Sequence, residues 1–455
     1  MPIPEGAVTS QPQVVAPRNP SPTSRRQVSG PFPMAAFFTY YLTIGLFVYL
    51  DVINIGAQKG AEGRITAAFL GFLPHADIAL CLALGFAATF DPSFRSAVLS
   101  RQSICLLAFL GAFSILGVLM GNAINWLRAD LRVWLWLYGG LALFRILMNL
   151  RRPGWHLLGI CLIAGLILCL SAHAGRDQMN IAQSLNNERV WDVNVFNFSG
   201  MMLPLLGLVF GAATTRNLRC FLGTLLAFAL FFYGGVIVGA TRSLAIALAV
   251  VCASASLGLL FQRSKTQITS RLSPRAAWVG LLMLCGALAV AATLFGAAFS
   301  SSTVLSDRLS GDADVRSGLD RIVELEDALQ QLGPVKTVLG GGLGYTFQSI
   351  FDYTAISTHL TLFTILLKFG VVPFLLITAY LYLYLPGKFA QALLRPASMP
   401  PSLRTALLVT LPGVFAWLTI FAMSGGYDTY YSIGLGMSLG VFLEIKAHGL
   451  ANLCR

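Results

Sequence analysis

Charge is what this 455-residue chain has least of. Asp, Glu, Lys and Arg make up 11% of it, against 56% hydrophobic residues and a mean hydropathy of +0.73. A soluble domain carries about 25% charged residues, so the composition is that of an integral membrane protein. Polar stretches are few: the N-terminus, 173–197 and 300–358. They leave little room for a soluble catalytic domain, so function has to sit in the membrane or in those loops. No GxxxxGK(S/T) phosphate loop occurs, so the energy for any chemistry must come from the substrate. No internal repeat is evident, which weighs against an inverted-repeat transporter. Paired cysteines are missing too. Seven of the eight cysteines fall in apolar runs and there is no CxxC, which argues against disulfides and against a thiolate metal site.

What the chain has in abundance is apolar runs. Twelve are long enough to be read as membrane-spanning helices: 34–53, 75–90, 103–121, 133–150, 155–172, 198–213, 218–238, 243–261, 276–299, 359–385, 405–423 and 432–445. Continuous runs of this kind exclude a β-barrel. Residues 1–33 are rich in Pro, Ser and Gln and carry three arginines. They read as a disordered cytoplasmic tail, and no cleavable signal peptide is expected. With that tail inside, the cytoplasmic segments hold 18 of the 31 Lys and Arg but only about three of the 19 acidic residues, in keeping with the positive-inside rule. The expected fold is therefore all-α, an integral membrane protein of about 12 transmembrane helices. Both termini are cytoplasmic, and a large outer loop, 300–358, precedes the tenth helix.

Four polar clusters fall on the outer side. In "VIVGATRSLAIALAV", Arg242 occupies a short turn between two apolar spans; it is either an interfacial anchor or a cation aimed at the bundle. In "DVRSGLDRIVELEDALQQLG", Leu319, Ile322, Leu325, Leu329 and Leu332 mark an amphipathic helix with Arg316 and Arg321 in its first turns. An i,i+3 pairing of Arg321 with Glu324 is the ordinary explanation for that arginine. "LGGGLGYTF", 339–347, is either a phosphate-cradling loop or a tight turn. In "TAISTHLTLFTILLKFGV", His359 stands at the mouth of a span and Lys368 nine residues deeper, about 13 Å along a helix. A lysine at that depth needs a polar cavity or a partner. Taken together, these residues bring several cations and one titratable base to one side of the membrane. Such a set suits a lipid diphosphate leaving group and an acceptor hydroxyl.

In the order and spacing of these pieces the chain resembles the O-antigen polymerase and O-antigen ligase superfamily of bacterial envelope glycosyltransferases. "GATRSLAIALAVV" resembles the family's Ser/Thr-Arg followed by a small-residue span. "RIVELEDALQQLGPVKTVLGGGLGYTF" resembles its arginine, short helix, proline and GxGxG turn. "STHLTLFTILLKFGVVPFLL" resembles its histidine element, with Gly370 eleven residues after His359. Leu360 stands where the family has an asparagine, and Leu325 where it has a tryptophan, which makes this a divergent member. The resemblance covers about 239–378 and implies the organisation 1–33 tail, 34–238 N-terminal transmembrane region, 239–385 polymerase/ligase-like core and 386–455 terminal helices and tail, in a GT-C-like fold.

The resemblance further implies inverting, metal-independent glycosyl transfer on the periplasmic face of the inner membrane, without a cofactor. The donor would be an undecaprenyl-diphosphate-linked oligosaccharide. Arg242 and Arg321 take the family's diphosphate-binding roles and His359 that of the base; Arg316 and Lys368 join them on charge and position. Chain-length regulator and flippase proteins are the implied protein partners; no nucleic acid is expected. A polymerase handing the chain to the next lipid-linked repeat is preferred to a ligase handing it to lipid A-core. Two other classes stay open: a lipid-linked oligosaccharide transporter, and a metal-dependent transferase using Asp312 and Asp314 of "GDADV".

Overall fold

The structure is a computed structural model that describes residues 34–45, 68–69, 73–150, 152–177, 218–238, 242–263, 312–349, 354–358, 360–423, 427 and 429–449. The expected tail 1–33 and the expected spans 198–213 and 276–299 lie outside the described residues.

The described chain is a multi-pass α-helical membrane protein. A short apolar helix α1 (Met34–Gly45) is followed by a two-stranded antiparallel pair, β1 (Ala68–Phe69) and β2 (Leu73–Pro74). Then come α2 (His75–Phe90), α3 (Pro92–Val98), α4 (Arg101–Leu119), α5 (Ile124–Met148) and α6 (Pro153–Asp177). Next are α7 (Leu218–Phe232), extended by a π-helical turn Tyr233–Val238, and α8 (Arg242–Arg263). The outer-loop region supplies α9 (Asp312–Leu332), α10 (Pro334–Leu339) and a second antiparallel pair, β3 (Phe347–Gln348) with β4 (Thr354–Ala355). The chain closes with α11 (Leu362–Phe369), α12 (Val371–Ala379), a π-helical turn Tyr380–Tyr384, α13 (Leu385–Leu394), α14 (Pro401–Met423) and α15 (Thr429–His448). Among the described residues, five helical segments are long and apolar enough to cross a membrane: Arg101–Leu119, Ile124–Met148, Pro153–Leu170, Val371–Leu394 and Pro401–Met423. Counting the bent pair α2–α3 as one span makes six.

α5 is the axis of the bundle. Its most extensive partner is α15, and α2 lies along it as well; α14 links α15 to α8, and α6 pairs with α7. Trp136 and Phe144 of α5 are fully buried. Where α5 crosses α15, a Cβ on Gly436 would come within 2.9 Å of the Gly140 Cα. The two backbones touch there, which is how small residues bring helices together in lipid. α4 and the α12–α13 helix instead present apolar side chains outward: Leu119 is 78% exposed and Leu383 73%, as lipid-facing positions are.

The ends of α5 carry the buried charges. At one end, Arg145 donates to Asp91 from Nε and to Glu444 from Nη1, both at 3.0 Å. Asp91 also caps α3 through Phe94 N–H at 2.9 Å, with Pro92 at the first helical position. That cap lies at the 110° bend between α2 and α3, in what the sequence reads as a plain loop. At the other end, about 22 Å along the helix at 1.5 Å per residue, sits Asp130.

Two expected spans change shape. α5 begins at Ile124 rather than near 133, because the charged stretch Arg128–Asp130–Arg132 is helical and its charges are paired. The run 359–385 is not one helix. It breaks at Gly370 (φ +79), where a Cβ would strike the Val338 carbonyl oxygen; only glycine takes that conformation without strain.

Candidate functional site

The glycine-rich turn organises one end of the bundle, and it does so with its own backbone. Gly341 N–H donates to Leu367 O at 2.8 Å, Gly342 N–H to Lys368 O at 3.0 Å and Leu343 N–H to Phe113 O at 3.0 Å. Gly344 N–H donates to Asp130 Oδ2 at 2.5 Å. Gly340 and Tyr345 N–H go to Lys336 O and Gly342 O. The Asn122 amide donates to both Gly341 O and Leu343 O at 2.9 Å. Every N–H from 340 to 345 therefore has a protein acceptor. Of the two readings open for "LGGGLGYTF", the tight turn is the one observed; no row of amides is left to cradle a phosphate. The glycines are there for contact: Gly344 (φ +79) would bring a Cβ within 2.7 Å of Leu127 N.

Lys368 lies beneath this turn. Its side chain is 1% exposed, and Nζ donates to Asp130 Oδ2 at 2.5 Å and to Tyr345 O at 3.2 Å. The Asp130 side chain is 0% exposed. Tyr427 completes the arrangement. Its ring centroid is 5.5 Å from Lys368 Nζ, its hydroxyl accepts from Trp134 Nε1 at 3.1 Å, and it interacts with the Asp130 carboxylate. Burial, and then the Asp130 charge, raise the Tyr427 phenol well above its usual range, so it stays neutral. The partner that a deep lysine needs is thus a carboxylate on α5, and in this structure the Lys368 charge is committed to it.

Arg321 is half-buried on α9. Its Nη1 donates to the Met423 carbonyl at 2.6 Å, capping the last turn of α14. A cation on a helix C-terminus is favoured by the helix dipole. Burial lowers the guanidinium pKa while the charge of Glu324 opposes the shift. Glu324 is fully buried and accepts from Ser349 Oγ at 3.2 Å. The buried face of α9 runs through Glu324, Ala328 and Leu332 against Phe347, Ala355 and Leu367, whereas Ile322 is 49% exposed. Gln331 fixes β3 to this helix, donating to Gln348 O and accepting from Gln348 N–H.

The other sequence-derived site residues are placed through the backbone. Arg316 lies in the first turns of α9, and Arg242 is the first residue of α8. Late in α8, a Cβ on Gly258 would lie 3.5 Å from Leu408 O, early in α14, so the two helices pack antiparallel along their lengths. From that level Arg242 is 16 residues and Met423 is 15 residues away, or about 24 and about 22 Å at 1.5 Å per residue. The start of α8 and the end of α14, where Arg321 is anchored, therefore share one end of the bundle. His359 lies outside the described residues, but its neighbours are held. Thr358 Oγ1 donates to Leu360 O at 2.7 Å and Thr358 N–H to Thr364 Oγ1 at 3.1 Å, and α11, which follows, packs on α9. The acidic pair Asp312 and Asp314 opens α9, and among the described residues no group of three or more His, Cys, Asp and Glu is placed to hold a metal.

Sequence reasoning missed Asp130 and Asn122, and also the two arginines of α5, Arg128 and Arg132, that bind Asp77 together. A usable signal existed for the first: a deep lysine demands a carboxylate, and Asp130 stands on the same side, just ahead of the apolar run 133–150. In comparisons with protein-family models, with curated proteins and with solved structures, nothing matches this chain.

Proposed function

We propose that the chain is a membrane glycosyltransferase. It extends undecaprenyl-diphosphate-linked oligosaccharides on the periplasmic face of the bacterial inner membrane, as an O-antigen or exopolysaccharide polymerase. The reading includes twelve spans with both termini in the cytoplasm. The observation that carries it is the half-buried Arg321 anchored on the Met423 carbonyl, at the bundle end where α8 starts with Arg242 and α11 follows residue 359. That end joins cationic groups to a helix N-terminus, an arrangement suited to an anionic leaving group.

In the proposed reaction an acceptor hydroxyl attacks the anomeric carbon of the donor, and the bond from that carbon to the diphosphate oxygen breaks with inversion. His359, neutral beforehand, takes the hydroxyl proton. Arg242, Arg321 and Arg316 offset the charge that grows on the departing polyprenyl diphosphate. Lys368 has a different part here from the one its position first indicated. Paired to Asp130, it holds the glycine turn and the head of α11 in place. No metal enters the reaction. Chain-length regulator and flippase proteins of the same pathway would act beside the enzyme.

The test is reconstitution with purified lipid-linked repeat units, with and without lipid A-core, comparing wild type, Arg321→Ala and His359→Ala in the presence of EDTA. A ladder of longer lipid-linked chains made without lipid A-core, and lost in both variants, is the expected result. Product on lipid A-core alone would make the protein a ligase. No transfer from the native donor under either condition would refute the enzyme reading and favour a lipid-linked oligosaccharide transporter.

A further inference from the structure

The lipid-facing helix α12–α13 contains an interruption that the proposed chemistry does not use. Over Tyr380–Tyr384 the helix widens to π geometry, a rare local form often found at functional positions. Beside it runs an open groove of about 580 Å³, lined by Tyr380, Leu383, Tyr384, Gly387, Lys388 and Gln391 among others. The Tyr380 and Tyr384 rings stack, with centroids 5.2 Å apart. Lys388 Nζ lies 5.4 Å from the Tyr384 ring centroid and donates to Gln391 Oε1 at 3.2 Å. The Gln391 amide in turn donates to Ser398 Oγ at 3.2 Å. Only one of the three donors of the ammonium is accounted for by Gln391.

The position of the groove in the membrane follows from its contacts. Arg404 Nε donates to Ala392 O at 2.8 Å, tying the last turn of α13 to the first turns of α14. From Arg404 to Met423 is 19 residues, about 28 Å of helix, close to the ~30 Å of a bilayer's hydrocarbon. The groove therefore opens at the membrane boundary opposite the Arg321 end. On its membrane side, Leu376 and Leu383 are 67% and 73% exposed. On its aqueous side stand Lys388 and Arg395, and no acidic residue occurs anywhere from 371 to 427.

We propose that this groove binds an anionic phospholipid, its phosphate on Lys388 beside Gln391 and Arg395, its glycerol against the two tyrosines and an acyl chain along Leu383 and Leu376. The charge selects the occupant. A second copy of this chain docking about a two-fold axis would set the same cations against one another, and a soluble phosphate would leave the apolar ladder uncovered. The inference is independent of the glycosyl-transfer reading.

The experiment is native mass spectrometry of the full chain, delipidated in mild detergent and titrated with phosphatidylglycerol or phosphatidylethanolamine. Lys388→Ala, Tyr384→Ala and, as a control on the same exposed helix, Val372→Ala are compared, with Lys388→Arg to check that a cation suffices. Tighter retention of phosphatidylglycerol is expected, weakened about fivefold by Lys388→Ala, as for the loss of one basic contact. It should also be weakened by Tyr384→Ala, unchanged by Val372→Ala and restored by Lys388→Arg. Equal retention of the two lipids, unaltered binding by Lys388→Ala, or a dimer that Lys388→Ala dissociates would each overturn the proposal.

Discussion

Removing both members of the Lys368–Asp130 pair should cost far less than the two single removals summed. The side chains are 1% and 0% exposed and 2.5 Å apart, so solvent screens neither. Lys368→Met leaves the Asp130 carboxylate buried with the Gly344 N–H as its remaining short hydrogen bond. Asp130→Leu strands the ammonium against the Tyr345 carbonyl. Each single change should destabilise by about 3–5 kcal/mol, the usual cost of an uncompensated buried charge. In the double variant no charge remains, and the loss is that of the unpaired Gly344 N–H and Tyr345 carbonyl, about 1–3 kcal/mol each. Independent effects would sum to roughly 6–10 kcal/mol, so the cycle should show coupling of several kcal/mol. The assay is equilibrium unfolding in mixed micelles, followed by tryptophan fluorescence. A double variant as unstable as the two singles summed would refute the reasoning, as would single variants within about 1 kcal/mol of wild type, below the cost of stranding a buried charge.

Three further changes test neighbouring parts of the frame. Gly340→Ala, at φ +88 with its new Cβ 2.5 Å from Lys368 O, should cost at least about 2 kcal/mol and lower the melting temperature in detergent. Asn122→Ala strips a donor from two carbonyls of the turn and should cost about 1–3 kcal/mol, with Asn122→Asp no better because a carboxylate cannot donate; the same melts decide this. Arg145→Gln leaves Asp91 and Glu444, each with a side chain 8% exposed, without their shared cation. It should lower stability by about 3 kcal/mol, and Arg145→Lys should recover only part of that, since a point charge replaces a two-sided fork. Unfolding of the two Arg145 variants in the same micelles is the measurement, and equal stability of both with wild type would refute it.

Parts of this arrangement were legible in the sequence because hydropathy acts locally. α4 at Arg101–Leu119 and α14 at Pro401–Met423 lie close to their expected runs of 103–121 and 405–423. The start of α5 was hidden because Arg128, Asp130 and Arg132 break the apolar run, and only distant partners (Asp77 and Lys368) make them compatible with a bundle helix. Lys368 was recognisable as a residue in need of a partner, but the identity of that partner depends on tertiary packing across 238 positions. The glycine turn was ambiguous for a similar reason. Gly340 to Gly344 would read the same whether their amides met a ligand or the carbonyls of Phe113, Leu367 and Lys368. The helix of Arg321 was readable from periodicity, yet its buried face was misjudged, because Glu324 is stabilised by Ser349 beyond the turn.

The same hydrogen bonds impose an order of assembly. Asn122 and Asp130 bind groups made 214 to 238 residues later. While the rest of the chain is being inserted, the Asp130 carboxylate has neither Lys368 nor the turn, and stable burial must wait for both. The latch needs the turn and α11 to be present, and once made it joins α4, α5 and α11 through that turn. A chimera that exchanged the first half of this protein for another scaffold would have to bring its own carboxylate and amide at these two positions, or the second half would have nothing to close upon.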